Sequence, residues 1–212
     1  IKKILPDLIA ILAFVLISFA YFFPADIEGR ILFQHDTAAG AGAGQEAKEY
    51  YEQTGERTRW TNSLFGGMPT YQNPRPTLYR TAAMDTEIYQ LFLPTYVNLT
   101  FILMLGFYIL LRAFGIPAWL AGLGGIMWAF SSYFFILISA GHIWKVHHPC
   151  LHPTTIAGIV LAYRGKLLAG AYSQLSSSAL QIMSNHGDVL LLPASSVLFI
   201  AGAYFEDAWR NK

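Results

Sequence analysis

The chain alternates between long apolar stretches and one long polar excursion. Ile4–Phe23 is almost uninterrupted hydrocarbon, residues 24–87 are polar, and apolar sequence returns over Leu91–Leu111 and Ala118–Ala140. A helix needs about 20 apolar residues to cross the ~30 Å hydrocarbon core of a bilayer. All three apolar stretches reach that length, so each is expected to be one membrane-spanning helix. Three weaker segments follow. Residues 146–163 hold His147, His148, His152, Pro149 and Pro153, residues 167–184 hold Gln174 and the run Ser176–Ser178, and residues 189–205 hold Pro193. The pattern predicts an all-α polytopic transmembrane bundle of about six spans. Its first helix ends at residue 23, a large loop covers 24–90, and the rest of the bundle covers 91–212.

Inside the loop the pattern is local. Gly29–Gln34 is expected to be extended, and the small residues of Ala38–Gly44 read as a flexible hinge. Gln45–Arg59 has helical composition with a break at Gly55, Gly66–Pro69 reads as a turn, and Thr86–Leu93 as an interfacial helix.

Composition supports the membrane reading. Of 212 residues, 54% are hydrophobic and 13% charged, against roughly 25% charged in soluble domains. Mean hydropathy is +0.40. A net charge of +1 offers no basic field for nucleic acid. The single cysteine, Cys150, excludes an intramolecular disulfide. Lys2 and Lys3 before an apolar run resemble the start of a signal peptide. That run, however, exceeds the roughly 7–15 residues of a signal core, and no small-x-small site follows it. It reads as a retained helix.

Charge placement orients the bundle. With six spans, Lys2, Lys3, Arg112, Arg164, Lys166, Arg210 and Lys212 fall on one side, and the short connections opposite carry only Lys145. Cytoplasmic loops carry the excess of Lys and Arg, and long segments translocate largely regardless of charge. The expected topology has a cytoplasmic N-terminus and an extracytoplasmic 24–90 loop. Tyr21–Phe23, Trp119, Tyr133, Trp144 and Trp209 fit interfacial belts. Gly122, Gly124 and Gly125 fit lipid-compatible packing or close helix approach.

The candidate chemistry lies in or beside the loop. Asp36 is expected just above the bilayer, where a carboxylate can take a proton from an attacking hydroxyl or hold a divalent cation. His35 beside it can relay a proton or ligate metal. The plainer alternative is a solvated pair or a helix cap. Trp60, Leu64, Phe65, Met68 and Tyr71 are too apolar to be left in water without cost; they read as packing, or as the wall of a sugar or lipid site with Asn62 and Ser63. Lys145, in Gly141–Lys145, suits a lipid phosphate, with ordinary snorkelling as its alternative. Asp36, His142, Lys145 and His186 are all expected at one face. His147, His148, Cys150 and His152 match no tight metal-ligand template, and Pro149 and Pro153 are expected to disturb a regular helical face there.

Lys2–Asp7, Phe33–Asp36, Arg59–Tyr71, Gly106–Arg112 and Trp128–Val146 together resemble the N-terminal portion of YfhO-family bacterial membrane proteins, closest to the Bacteroidetes branch. The resemblance covers about residues 1–146 and returns at Ile156–Lys166 and Ala179–His186. Residues 147–155 and 187–196 depart from the family pattern.

The resemblance implies a fold similar to GT-C glycosyltransferases, acting at the outer face of the bacterial cytoplasmic (inner) membrane. It implies a polyprenyl-phosphate-linked sugar donor and a glycopolymer or lipid acceptor of the cell envelope. Asp36 would then act as general base or orient the acceptor, assisted by His35. Lys145 or Arg30 would neutralise the leaving phosphate. Arg30, Trp60, Asn62, Tyr71, His142, Lys145 and His186 would line the substrate site. A divalent cation is the candidate cofactor, with no resident metal site assigned. The competing readings are a flippase-like lipid or sugar transporter and a non-catalytic envelope scaffold. Helices one to three carry no charge at bilayer depth beyond Asp7, which disfavours an ion-coupled transporter.

Overall fold

The structure, a computed structural model, describes residues 4–30, 32–70, 91, 93–183, 197–198, 200–206 and 209–210. Expectations for Tyr71, His186, residues 86–90 and residues 189–196 fall outside those residues. The described elements, in order, are α1 (Leu5–Ile27), α2 (His35–Ala43), α3 (Gln45–Thr54), β1 (Trp60–Thr61), β2 (Met68–Pro69) and α4 (Thr95–Ala113). They continue as α5 (Ala118–Ala129), α6 (Ser132–Ala140), α7 (Ile143–Tyr163) and α8 (Leu167–Met183).

Hydrophobic burial centres on α4, which packs against α1, α5 and α7. Leu99, Leu103 and Met104 on α4 are fully buried with Phe14, Ala121, Val146 and Cys150 from those neighbours. By contrast, among its described side chains α1 buries only Phe14, Ser18 and Phe22, a single stripe at helical spacing. Leu5, Leu8, Leu12, Leu16 and Phe23 stay exposed. A helix this apolar with so little protein around it belongs in a hydrocarbon solvent. Leu5–Ala25 and Tyr96–Ala113 are long and apolar enough to cross a membrane, and α5 with α6 forms a third such segment if the bent pair is one span. Among the described residues, α7 and α8 form but do not join that set, so the six-span expectation is met for two or three segments.

Several boundaries correct the sequence expectations. Helix α1 continues through Pro24 to Ile27 instead of ending at residue 23. Ala38–Gly44 is not a hinge: Ala38–Ala43 belong to α2, because residues 34–37 are tied to the end of α6 and start the helix there. Residues 118–140 are not one helix. The axis turns by 42° between α5 and α6; Phe130 closes α5, and Ser131 adopts an extended backbone (φ −62°, ψ 132°) as the residue preceding α6. Serine competes with helical backbone bonding and favours such starts. Pro149 and Pro153 do not break α7, which is continuous. Cys150 Sγ and Thr155 Oγ1 donate to the Val146 and Leu151 carbonyls, and neighbours on both sides hold the helix, as in membrane helices that retain proline.

Other expectations are met at particular residues. Of the stretch expected to be extended over Gly29–Gln34, Gln34 is extended (φ −118°, ψ 114°) whereas Gly29 is in a left-handed turn (φ +61°), and α3 stops at Gly55, whose φ of +71° suits a glycine cap. The turn expected over 66–69 lies earlier: the Gly67 N–H donates to the Leu64 carbonyl at 2.8 Å, and Met68 and Pro69 are strand, pairing with Thr61 and Trp60 in a short antiparallel hairpin.

Small residues set the helix spacing. A Cβ on Gly125 would lie 2.7 Å from the Met104 carbonyl oxygen, and one on Gly124 would collide with Leu111, whereas Gly122 has room. Gly106 abuts the Cys150 carbonyl, and Gly158 and Gly170 bring α7 and α8 backbone to backbone. Thr155 Oγ1 and Ser177 Oγ meet at 3.0 Å in that seam, and Ser173 Oγ donates to the Thr154 carbonyl at 2.9 Å.

Candidate functional site

The chain entering α2 is fastened to the exit of α6. Gln34 is buried; its Nε2 donates to the Ile138 carbonyl at 2.6 Å, and its Oε1 accepts from Thr37 Oγ1 at 3.0 Å. Directly opposite, Gly141 ends α6 in the left-handed region (φ +96°). A Cβ there would lie 2.6 Å from Thr37 Oγ1 and 3.1 Å from Gln34 Cβ. Both features require glycine: an L side chain is strained at that φ, and no space exists for one. The left-handed turn sends the chain into His142, the residue preceding α7.

This docking brings Asp36 to His142. Asp36 lies in the first turn of α2, and its Oδ2 is 3.0 Å from His142 Nε2. Since the carboxylate only accepts, Nε2 carries the shared proton. His35 Nδ1 is 3.9 Å from Asp36 Oδ1 and largely faces solvent. Asp36 itself is half exposed. Two helix starts, those of α2 and α7, meet at this pair, and each favours negative charge nearby. Lys145 follows in the first turn of α7 and is exposed.

The remaining expected site residues distribute differently. Arg30 pairs with Glu28 in the exposed turn after α1, away from any ion pair with Asp36. Trp60 and Asn62 belong to the hairpin, organised by a residue the sequence reading did not single out. Glu46 on α3 accepts from Thr61 Oγ1 at 2.6 Å, from the Asn62 and Ser63 backbone N–H groups at 2.8 and 3.0 Å, and from Asn62 Nδ2 at 3.3 Å. The Thr61 hydroxyl, followed by the Asn62 amide, holds the Glu46 carboxyl below its ordinary value. Asn62 Oδ1 also accepts from Trp60 Nε1 at 3.2 Å. Asn62 is thus committed to holding the hairpin on α3. Trp60 lies against Gly67, while Phe65 at the tip is exposed in a left-handed conformation (φ +53°).

Cys150 is buried and bonds the Val146 carbonyl at 3.1 Å. Among the described residues no group of three or more His, Cys, Asp or Glu side chains is arranged to hold a metal ion. The divalent-cation expectation therefore acquires no ligand set from them.

Gln34, Thr37, Gly141 and Glu46 are the positioning residues that sequence reasoning missed. The only available signal was the nearness of Gln34 and Gly141 to the ionisable residues they place.

The opposite end of the bundle is closed by another polar cluster. Asp7 accepts from Arg112 Nε at 2.8 Å and from the Tyr108 hydroxyl, and Arg164 Nη2 donates to the Phe114 carbonyl at 3.2 Å. Asp7, Arg112 and Arg164 thus share one end, and Asp36 and His142 occupy the other. Compared with protein-family models, with curated proteins and with solved structures, the chain matches none.

Proposed function

We propose that this chain is an integral membrane protein of the bacterial cytoplasmic membrane and transfers a sugar from a polyprenyl-phosphate donor to a cell-envelope acceptor on the outer face. The observation carrying this reading is the 3.0 Å contact between Asp36 and His142, built by buried anchors where the polar loop meets the helix ends. The resemblance of Phe33–Asp36 and Trp128–Val146 to YfhO-family sequences, with GT-C-like chemistry, supplies the reaction class.

In this reading the acceptor hydroxyl attacks the anomeric carbon and a new C–O bond forms. The bond from that carbon to the phosphate oxygen breaks, its electron pair leaves with the phosphate, and the Asp36 carboxylate takes the hydroxyl proton. His142 fixes the carboxylate's direction. Lys145 is the cation suited to the leaving phosphate, since Arg30 is engaged by Glu28. Tyr71 and His186 are kept as substrate contacts on the resemblance alone. Ion-coupled transport is disfavoured because Asp7 and Arg112 neutralise each other at one end of their helices.

The test is transfer from a polyprenyl-phosphate sugar in membranes carrying the protein as its gene encodes it. Asp36→Asn is expected to lower transfer by about 10²-fold or more, the range of general-base catalysis, with membrane insertion unchanged. Undiminished transfer by inserted Asp36→Asn removes Asp36 from the mechanism.

A further inference from the structure

The start of α2 is held at the depth of the bundle end. Tyr21 on α1 touches Phe130 and Phe135, with ring centroids 5.3 and 5.0 Å away. From Tyr21, α1 climbs four residues to Ala25, the end of its apolar segment, or about 6 Å at 1.5 Å per residue. From Phe135, α6 climbs three to six residues to Ile138 and Gly141, about 4.5–9 Å by the same rise. Gln34 is held to both of those residues. It therefore sits level with the end of the apolar segments rather than above it.

The two residues before Gln34 are Leu32 and Phe33, and Phe33 is 80% exposed. Phe23 on α1 and Ile136 on α6, within two residues of the Tyr21 and Phe135 contact, are also exposed. Leu32 and Phe33 thus put exposed apolar side chains at the level where the candidate spans end. An aromatic left bare at that level gains by entering the boundary between headgroups and acyl chains. Water is a poor occupant for it, and its level with the ends of the candidate spans points to lipid as what covers it.

We propose that Leu32 and Phe33 form an interfacial lipid anchor that returns the chain to the membrane before α2. The Asp36–His142 pair consequently lies within the headgroup layer. This inference rests on the membrane placement, not on sugar transfer.

Spin labels test it in vesicles of phosphatidylethanolamine and phosphatidylglycerol. The background is Cys150→Ser, which keeps a hydroxyl where the buried thiol donates to Val146. Labels are attached at Phe33→Cys and, in a second variant, Leu32→Cys. Leu12→Cys serves as the hydrocarbon reference and Glu52→Cys as the water reference. The label at 33 is expected to collide more with oxygen than with a water-soluble nickel chelate, between the two references and nearer Leu12→Cys. A label at 33 that reads like Glu52→Cys overturns the anchor. So does one shielded from both reagents, which would mean protein covers the site. Water-like behaviour at Leu12→Cys would instead overturn the membrane placement, so the two failures are distinguishable.

Discussion

Gly141 carries the strictest demand of any single residue near Asp36, since its left-handed φ and its contact with Thr37 both exclude a side chain. Gly141→Ala is expected to destabilise the protein by about 1–3 kcal/mol, the cost of a strained backbone position. Thermal unfolding in detergent measures this, and adding Thr37→Ala should restore part of the loss by removing the nearest atom. Glu46 yields a pH prediction. Its carboxyl titrates below the ordinary value of 4.5 in the folded chain, so its stabilising effect is complete above that value and is lost as pH falls through the lower folded pKa. Below about pH 4.5 the hairpin should loosen from α3. The fluorescence difference between the parent and Trp60→Phe should track this, and Glu46→Gln should abolish the acid transition. Asp36 and His142 were legible in the sequence because ionisable residues at the ends of apolar stretches are conspicuous. Glu46 was not, because its partners lie 15 to 17 residues away and form a site only once the hairpin folds back.

At the scale of elements, helix contacts depend on absent side chains. Gly158 and Gly170 allow α7 and α8 to touch through their backbones, so Gly170→Leu should separate the pair and strongly lower the midpoint of unfolding. Ser177→Ala removes the bond to Thr155 across the seam together with Ser177's bonds to the Ser173 and Gln174 carbonyls within α8, and the interhelical part should cost about 0.6 kcal/mol, the average for a hydrogen bond between membrane helices. Denaturation in mixed micelles compares the two variants directly. A Gly170→Leu effect no larger than that of Ser177→Ala would refute the close-packing account. Sequence pattern located α1, α3 and α4 because apolar runs or helix-forming residues with a terminal glycine are local signals. It misread Ala38–Gly44, whose Ala/Gly composition suits either a hinge or a helix until Gln34 and Thr37 anchor its start. It also merged α5 with α6, since apolar content is unchanged across Phe130–Ser131 while the axis turns.

At the scale of the whole molecule, polar residues sort to two ends of an apolar bundle. If the charge asymmetry orients it as the sequence predicts, Glu52→Cys should react with an impermeant maleimide added outside intact cells. Lys166→Cys should react only after permeabilisation, because it lies at the end closed by Asp7, Arg112 and Arg164. Labelling of both from one side would reject that topology. The linear sequence by itself determined the helical class, the membrane-length apolar segments and the identity of the chemically capable residues. Those properties follow from composition and periodicity, which act locally. Only the tertiary structure decided that Asp36 faces His142, that Arg30 and Asn62 are already committed elsewhere, and that Gln34 docks onto the end of α6. Each of those outcomes depends on contacts between residues distant in sequence, such as Gln34 with Ile138, and no local pattern encodes such a meeting.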